Sequence, residues 1–209
     1  MNKRPTIIDF VEHYTRVFSN HVFLREKINN EWTETSFEQT REMAHRIGAG
    51  LMALGLEKGD RVALLSQGRN LWVTGELGIL YAGGVNVPLS IKVTEAGDLL
   101  CRIQHSDAKY IIASEQQLAK IRNILPECPN VQKVIVLDPL NHYEEREVSI
   151  EEVIAKGDAL LATDQASFVQ RYQSVQPNDY ANISYTSGTT ADPKGILLTH
   201  RNYTANVEQ

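Results

Sequence analysis

The sequence predicts an α/β fold, a parallel-rich doubly wound sheet with helices on both faces. Three observations predict it. Short, almost continuously apolar runs recur at residues 61–66, 85–88, 109–113 and 133–137. Segments of helical periodicity separate them. A last run, residues 181–186, leads into a stretch crowded with Ser, Thr and Gly. Strands covered on both faces lose the polar alternation of a half-exposed sheet. Their regular alternation with amphipathic helices is the pattern of a parallel sheet.

The elements follow in order. Ile7, Phe10, Val11, Tyr14, Val17 and Phe18 have helical spacing, with Thr6 as N-cap. Two strand-like runs, 22–27 and 31–35, flank the turn pair Asn29-Asn30 and predict a hairpin. Ser36 and Gln39 form a capping box. They open a helix with the stripe Phe37, Ala44, Ile47, Leu51 and Leu54, ended by Gly55. Asn70 caps a helix to about Tyr81, and Thr94 opens one to about His105. Ser114 and Gln117 cap another, which Pro126 terminates. Residues 138–147 are polar and predict a loop. Ser149 and Glu152 cap a further helix, a second helical patch covers 163–173, and Gln176-Pro177-Asn178 breaks the pattern. The organisation expected is one domain in four parts. Residues 1–60 hold the first helix, hairpin and long helix, and 61–140 the βα-alternating core. Residues 141–178 form a helical connector, and 179–209 a strand, a ligand-binding loop and a helix start.

Composition excludes several functions. The net charge of −5 argues against a nucleic-acid binder, which is usually basic. Cys101 and Cys128 lie far apart without metal-binding spacing, and the simplest reading is two reduced thiols in a cytoplasmic protein. The N-terminus lacks the apolar run of a signal peptide. The most apolar long stretch, 71–91, holds Glu76, Asn86, Pro88 and four glycines, which breaks it as a membrane span.

The stretch Y-T-S-G-T-T-A-D-P-K-G, residues 185–195, holds six Ser, Thr or Gly residues and one lysine. At the end of a strand it would place backbone N–H groups and hydroxyls at the C-terminal edge of the sheet, where open α/β sheets bind ligands. Gly188 lets a phosphate oxygen approach the backbone. Thr186, Ser187, Thr189 and Thr190 offer hydroxyl donors, and Lys194 a compact positive charge. Pro193 stiffens the end next to that lysine. A solvated turn is the alternative, but a turn needs one or two such residues, not six. The pattern GxxxxGK[ST] fails twice, at Pro193 and at Gly195, which counts against a P-loop kinase or ATPase.

Residues 185–196 resemble the phosphate-loop signature of the adenylate-forming superfamily, Y-T-S-G-T-T-G-x-P-K-G, departing at Ala191. Residues 80–89, L-Y-A-G-G-V-N-V-P-L, are similar to that family's A-G-x-x-x-V-P-L segment. Residues 32–65, with Leu54-Gly55 and K-G-D-R-V-A from Lys58, resemble its first helix and strand. The resemblance implies an incomplete N-terminal portion of the adenylate-forming fold. It implies two half-reactions, in which a carboxylate and ATP give an acyl-adenylate and pyrophosphate, and coenzyme A then takes the acyl group. It implies that Thr186, Ser187, Gly188, Thr189, Thr190 and Lys194 hold the ATP phosphates, with Mg2+ beside them. Thr199-His200-Arg201-Asn202 after the loop looks most like the long-chain fatty acyl-CoA synthetases. Aryl, short-chain and amino-acid ligases of the superfamily stay as alternatives, as does a non-catalytic phosphate-binding module.

The family's later catalytic parts lie beyond this stretch, so the chain alone is expected to be inactive and to self-associate through uncovered apolar surface. The expected partners include a membrane surface, contacted peripherally and without a transmembrane segment. His200 reads as a helix-start residue after the Thr199 cap rather than a ligand. His13, His21, His45, His105 and His142 show no ligand spacing and receive no role. Asp192 reads as a loop-tip residue, Trp32 and Trp72 as core, and residues 143–152 as a solvated acidic patch.

Overall fold

The computed structural model describes residues 5–186 and 194–207. Helix α1 (Ile7–Phe18) precedes a separate hairpin, β1 (Val22–Ile28) and β2 (Glu31–Ser36), and helix α2 (Phe37–Ala53). Then come β3 (Arg61–Leu65), α3 (Asn70–Tyr81), β4 (Val85–Pro88), α4 (Ala96–Ser106), β5 (Ala108–Ala113) and α5 (Glu115–Ile124). The chain continues through β6 (Lys133–Val136), β7 (Glu147–Ser149), α6 (Ile150–Gln173), β8 (Tyr180–Thr186), β9 (Lys194–Thr199) and α7 (His200–Val207).

The main sheet has the order β7-β6-β5-β3-β4-β8-β9. Neighbours pair in parallel except β8 and β9, which are antiparallel. Both faces of the sheet are covered. Ala63 and Leu65 of β3 face α4 and α5, packing with Leu99, Ile103, Leu118 and Ile121. Val62 and Leu64 face the other way, toward Ile47 and Leu51 of α2, Ile79 of α3 and Val153 of α6. This is the doubly wound arrangement that the uninterrupted apolar runs predict.

Local signals hold where their partners are local. Thr6 accepts the Asp9 N–H at 3.1 Å, and Ser36 accepts that of Gln39 at 3.2 Å. Asn29 and Asn30 both take positive φ, 49° and 71°, as a tight two-residue hairpin turn requires. Gly55, at φ 94°, follows α2. The stripe of α1 is less buried than its spacing suggests, with Val17 54% exposed.

Caps supplied from a distance differ from the sequence reading. Helix α3 has Arg69, not Asn70, at its N-cap. The Asn70 N–H goes to the Glu26 carboxylate of the hairpin at 2.9 Å, and its side chain bonds Thr35. Helix α4 starts at Ala96, after Glu95 rather than Thr94. Ser114 precedes α5 but makes no side-chain cap; its hydroxyl donates to Gln67 Oε1, and Asp138 accepts the Glu115 N–H instead. Residues 147–149, within and just past the expected loop, form an added edge strand. Both helical segments expected after Ser149 are present within α6, separated by a kink of non-helical backbone at Asp164 (φ −149°, ψ 57°). Trp32 lies on the hairpin surface, 66% exposed, where core was expected.

Candidate nucleotide-phosphate site

At the candidate site the last two strands form an antiparallel pair. Strand β8 ends at Thr186 and β9 begins at Lys194, and these two residues face each other in the antiparallel register. Two of the residues predicted as phosphate ligands are thereby register partners at the end of the β8–β9 pair. Both residues are exposed. Ser187, Gly188, Thr189 and Thr190, with Ala191, Asp192 and Pro193, lie outside the described residues.

A buried polar group underlies β8. Asn86 of β4 pairs in register with Asn182 of β8. The Asn86 amide donates to Glu76 Oε1 of α3 at 2.7 Å, and the Ser184 hydroxyl donates to Asn182 Oδ1 at 2.7 Å. Burial raises the Glu76 carboxyl above its usual range, against the lowering effect of the Asn86 bond. None of these residues was a sequence-level candidate. Polar residues inside otherwise apolar runs, Asn86 in V-N-V-P and Asn182 in Y-A-N-I, were the available signal.

The far side of the C-terminal edge is occupied by the protein's own side chains. Ser114 donates to Gln67, and Arg69 pairs with Asp138 at 2.7 Å. Among the described residues, no group of three or more His, Cys, Asp or Glu side chains is placed to hold a metal.

His200 opens α7 directly after β9 and is 1% exposed. Its Nδ1 accepts the Ile7 N–H at 3.4 Å, which ties α1 to the helix after the hairpin. Thr199 and Asn202 cap each other reciprocally, with Thr199 N–H to Asn202 Oδ1 at 2.8 Å and Asn202 N–H to Thr199 Oγ1 at 3.3 Å. The helix-start reading of His200 therefore stands. Burial drives its imidazole down from 6.5 to about 4, despite the opposing charges of Asp179 and Asp9. A histidine depressed on folding contributes stability that is complete above its unfolded value. That stability is lost as pH falls through the folded value. Between pH 6.5 and pH 4, the unmodified protein should lose up to about 3 kcal/mol that a His200→Gln variant does not lose. Urea midpoints at several pH values check this. Parallel pH curves for the two proteins would contradict it.

The chain belongs to the AMP-binding enzyme family, whose pattern matches residues 11–209. It is 27% identical over 202 residues to a long-chain-fatty-acid–CoA ligase of Xenopus laevis, covering 95% of this chain and 27% of that protein. It is 31% identical over 205 residues to a long-chain-fatty-acid–CoA ligase of Mus musculus, covering 95% and 30%. A medium/long-chain-fatty-acid–CoA/3-oxocholest-4-en-26-oate–CoA ligase of Mycobacterium marinum is 30% identical over 168 residues, covering 80% and 30%. The chain thus spans under a third of the length of these relatives. Its fold is similar to that of an anthranilate CoA ligase in complex with anthranoyl-AMP. The TM-score is 0.81 at 22% identity, over 100% of this chain and 37% of that one. No helix among the described residues is long and apolar enough to cross a membrane.

Proposed function

We propose that this chain is the phosphate-binding N-terminal part of an ATP-dependent acyl-CoA synthetase acting on a long-chain fatty acid. One observation carries the reading: Thr186 and Lys194, the two described ends of the Ser/Thr/Gly-rich stretch, oppose each other at the mouth of the β8–β9 hairpin. The named activities of the curated relatives support the substrate class.

In this reading the substrate carboxylate attacks the α-phosphate of ATP. The bond from that phosphorus to the bridging oxygen breaks, and pyrophosphate leaves with its charge. Thr186, Ser187, Gly188, Thr189, Thr190 and Lys194 bind the β- and γ-phosphates. Donors and a cation fixed there stabilise the departing group more than the ground state. Coenzyme A then takes the acyl group as a thioester and AMP departs. Mg2+ would accompany the nucleotide beside these residues and supply counter-charge to the phosphates. The whole reaction belongs to the longer protein, and the 209-residue chain alone is proposed to be inactive.

Carboxylate-dependent ATP–pyrophosphate exchange by the full-length gene product tests this, with this chain as control. Acetate, medium-chain acids, long-chain acids and benzoate form the panel. Exchange with long-chain acids alone is expected. Exchange with another acid keeps the chemistry and replaces the substrate. ATP binding without exchange for any carboxylate would leave a phosphate-binding module and overturn the ligase.

A further inference from the structure

The residue just before the phosphate stretch is held by groups that the proposed chemistry does not use. Tyr185 points its hydroxyl at α4, 2.8 Å from His105 Nδ1 and 3.3 Å from the Arg102 carbonyl oxygen. A carbonyl can only accept. All three groups are satisfied when His105 Nδ1–H donates to Tyr185 Oη and Tyr185 donates to the carbonyl. Burial raises the Tyr185 phenol, so the hydroxyl keeps its proton. The two rings meet edge-on, with centroids 5.8 Å apart and planes at 76°.

The opposite strand borders this contact. Gly195 faces Tyr185 in the hairpin register. A Cβ at Gly195 would lie 3.4 Å from His105 Cε1, 3.4 Å from Tyr185 Cε1 and 3.2 Å from Ile183 Cγ2. Gly195 thus lies against both rings, and only Ile183 would have to give way to a methyl group there. Meanwhile β8 pairs with β4 at a single register position, Asn86↔Asn182, upstream of Tyr185. Beyond that position β8 pairs only with β9, and Tyr185 ties this two-stranded end to α4.

We propose that Tyr185 and His105 form a clamp between α4 and the base of the β8–β9 hairpin, and that Tyr185 is a positioning residue for the ATP triphosphate. It acts through Thr186 and Lys194, its neighbour in the chain and that neighbour's register partner, without touching the nucleotide. The proposal rests on the nucleotide function above. Ordering by preorganisation lowers the cost of binding, so loosening the clamp weakens ATP binding more than it weakens the fold.

The test compares Tyr185→Phe, His105→Ala, the double variant and His105→Asn in the full-length protein. ATP affinity is read by calorimetric titration, KM for ATP by exchange, and folding by the thermal midpoint. Tyr185→Phe and His105→Ala are each expected to weaken ATP binding about fivefold, with the thermal midpoint and KM for the carboxylate unchanged. The double variant should be no worse than either single one, as two ends of one contact require. His105→Asn keeps an amide N–H near the Nδ1 position and should restore affinity. Affinities equal to the unmodified protein, effects that multiply in the double variant, or losses that track the thermal midpoint would each overturn the clamp alone. An unmodified protein that binds no ATP would overturn the nucleotide function, and the clamp's role with it.

Discussion

Replacing Lys194 with alanine should lower ATP–pyrophosphate exchange by the full-length protein about a hundredfold or more, while leaving its thermal midpoint unchanged. The two halves of this expectation have separate grounds. Lys194 is exposed at the first position of β9 and opposes Thr186 rather than entering the core. Exposed substitutions away from caps, cavities and buried pairs rarely move stability by more than about 0.5 kcal/mol. The rate effect follows from where charge develops. In the proposed reaction, negative charge moves onto the departing pyrophosphate as the α-phosphate is attacked, and a fixed cation there gains strength at that moment. Lys194→Arg should recover only part of the rate, because a planar fork and a compact ammonium do not place charge at the same point. Exchange at the unmodified rate in Lys194→Ala would remove Lys194 from the phosphate site.

The fold was legible where burial was uniform and partners were local. Strand β3 is buried along nearly its whole length, and its apolar run of R-V-A-L-L betrays that directly. Strand β7 was not legible, because its first residue is a buried carboxylate. Glu147 is 6% exposed and is gripped by Arg122 through two bonds of 2.8 Å, Nε to Oε1 and Nη2 to Oε2. The guanidinium holds that carboxyl below its usual range. A sequence reading sees an acidic residue and infers solvent; it cannot see the arginine on α5 that makes burial tolerable. The cap of α3 lies one residue earlier than expected, and Ser114 sits at the N-cap of α5 without its side-chain bond; the partners of the first helical N–H groups, Glu26 on β1 and Asp138 after β6, come from elsewhere in the chain.

The candidate site divides in the same way. Its chemistry-bearing residues form one contiguous motif, so Thr186 and Lys194 could be named from composition and spacing alone. The groups that hold the hairpin could not. His105 lies 80 positions from Tyr185, and Asn86 and Glu76 join β8 only through the sheet. Nothing in their local spacing distinguishes them from ordinary surface or core residues.

Gly157→Ala should be the most damaging single-methyl substitution in the helical layer, lowering stability by about 3 kcal/mol or more. A Cβ at Gly157 of α6 would lie 1.9 Å from the Arg46 carbonyl oxygen and 2.9 Å from the Gly50 nitrogen of α2. Reciprocally, a Cβ at Gly50 would lie 2.0 Å from the Val153 carbonyl oxygen. These are backbone atoms within two helices, which cannot rotate aside as a side chain would. Beside the crossing, Arg46 holds Asp158 through two bonds of 2.6 Å, so the helices are also fixed laterally. Moving α6 away would open the cluster of Ile47, Leu51, Val62 and Val153 on that face of the sheet. Gly97 in α4 supplies the control, because a Cβ there meets nothing within 4 Å. Gly97 lies in the first turn, so Gly97→Ala should stabilise by less than the roughly 0.8 kcal/mol of a helix interior. Urea unfolding of the two variants separates the effects. If Gly157→Ala unfolds at the unmodified midpoint, α2 and α6 do not approach this closely, and the layer behind the sheet is packed differently from the arrangement described.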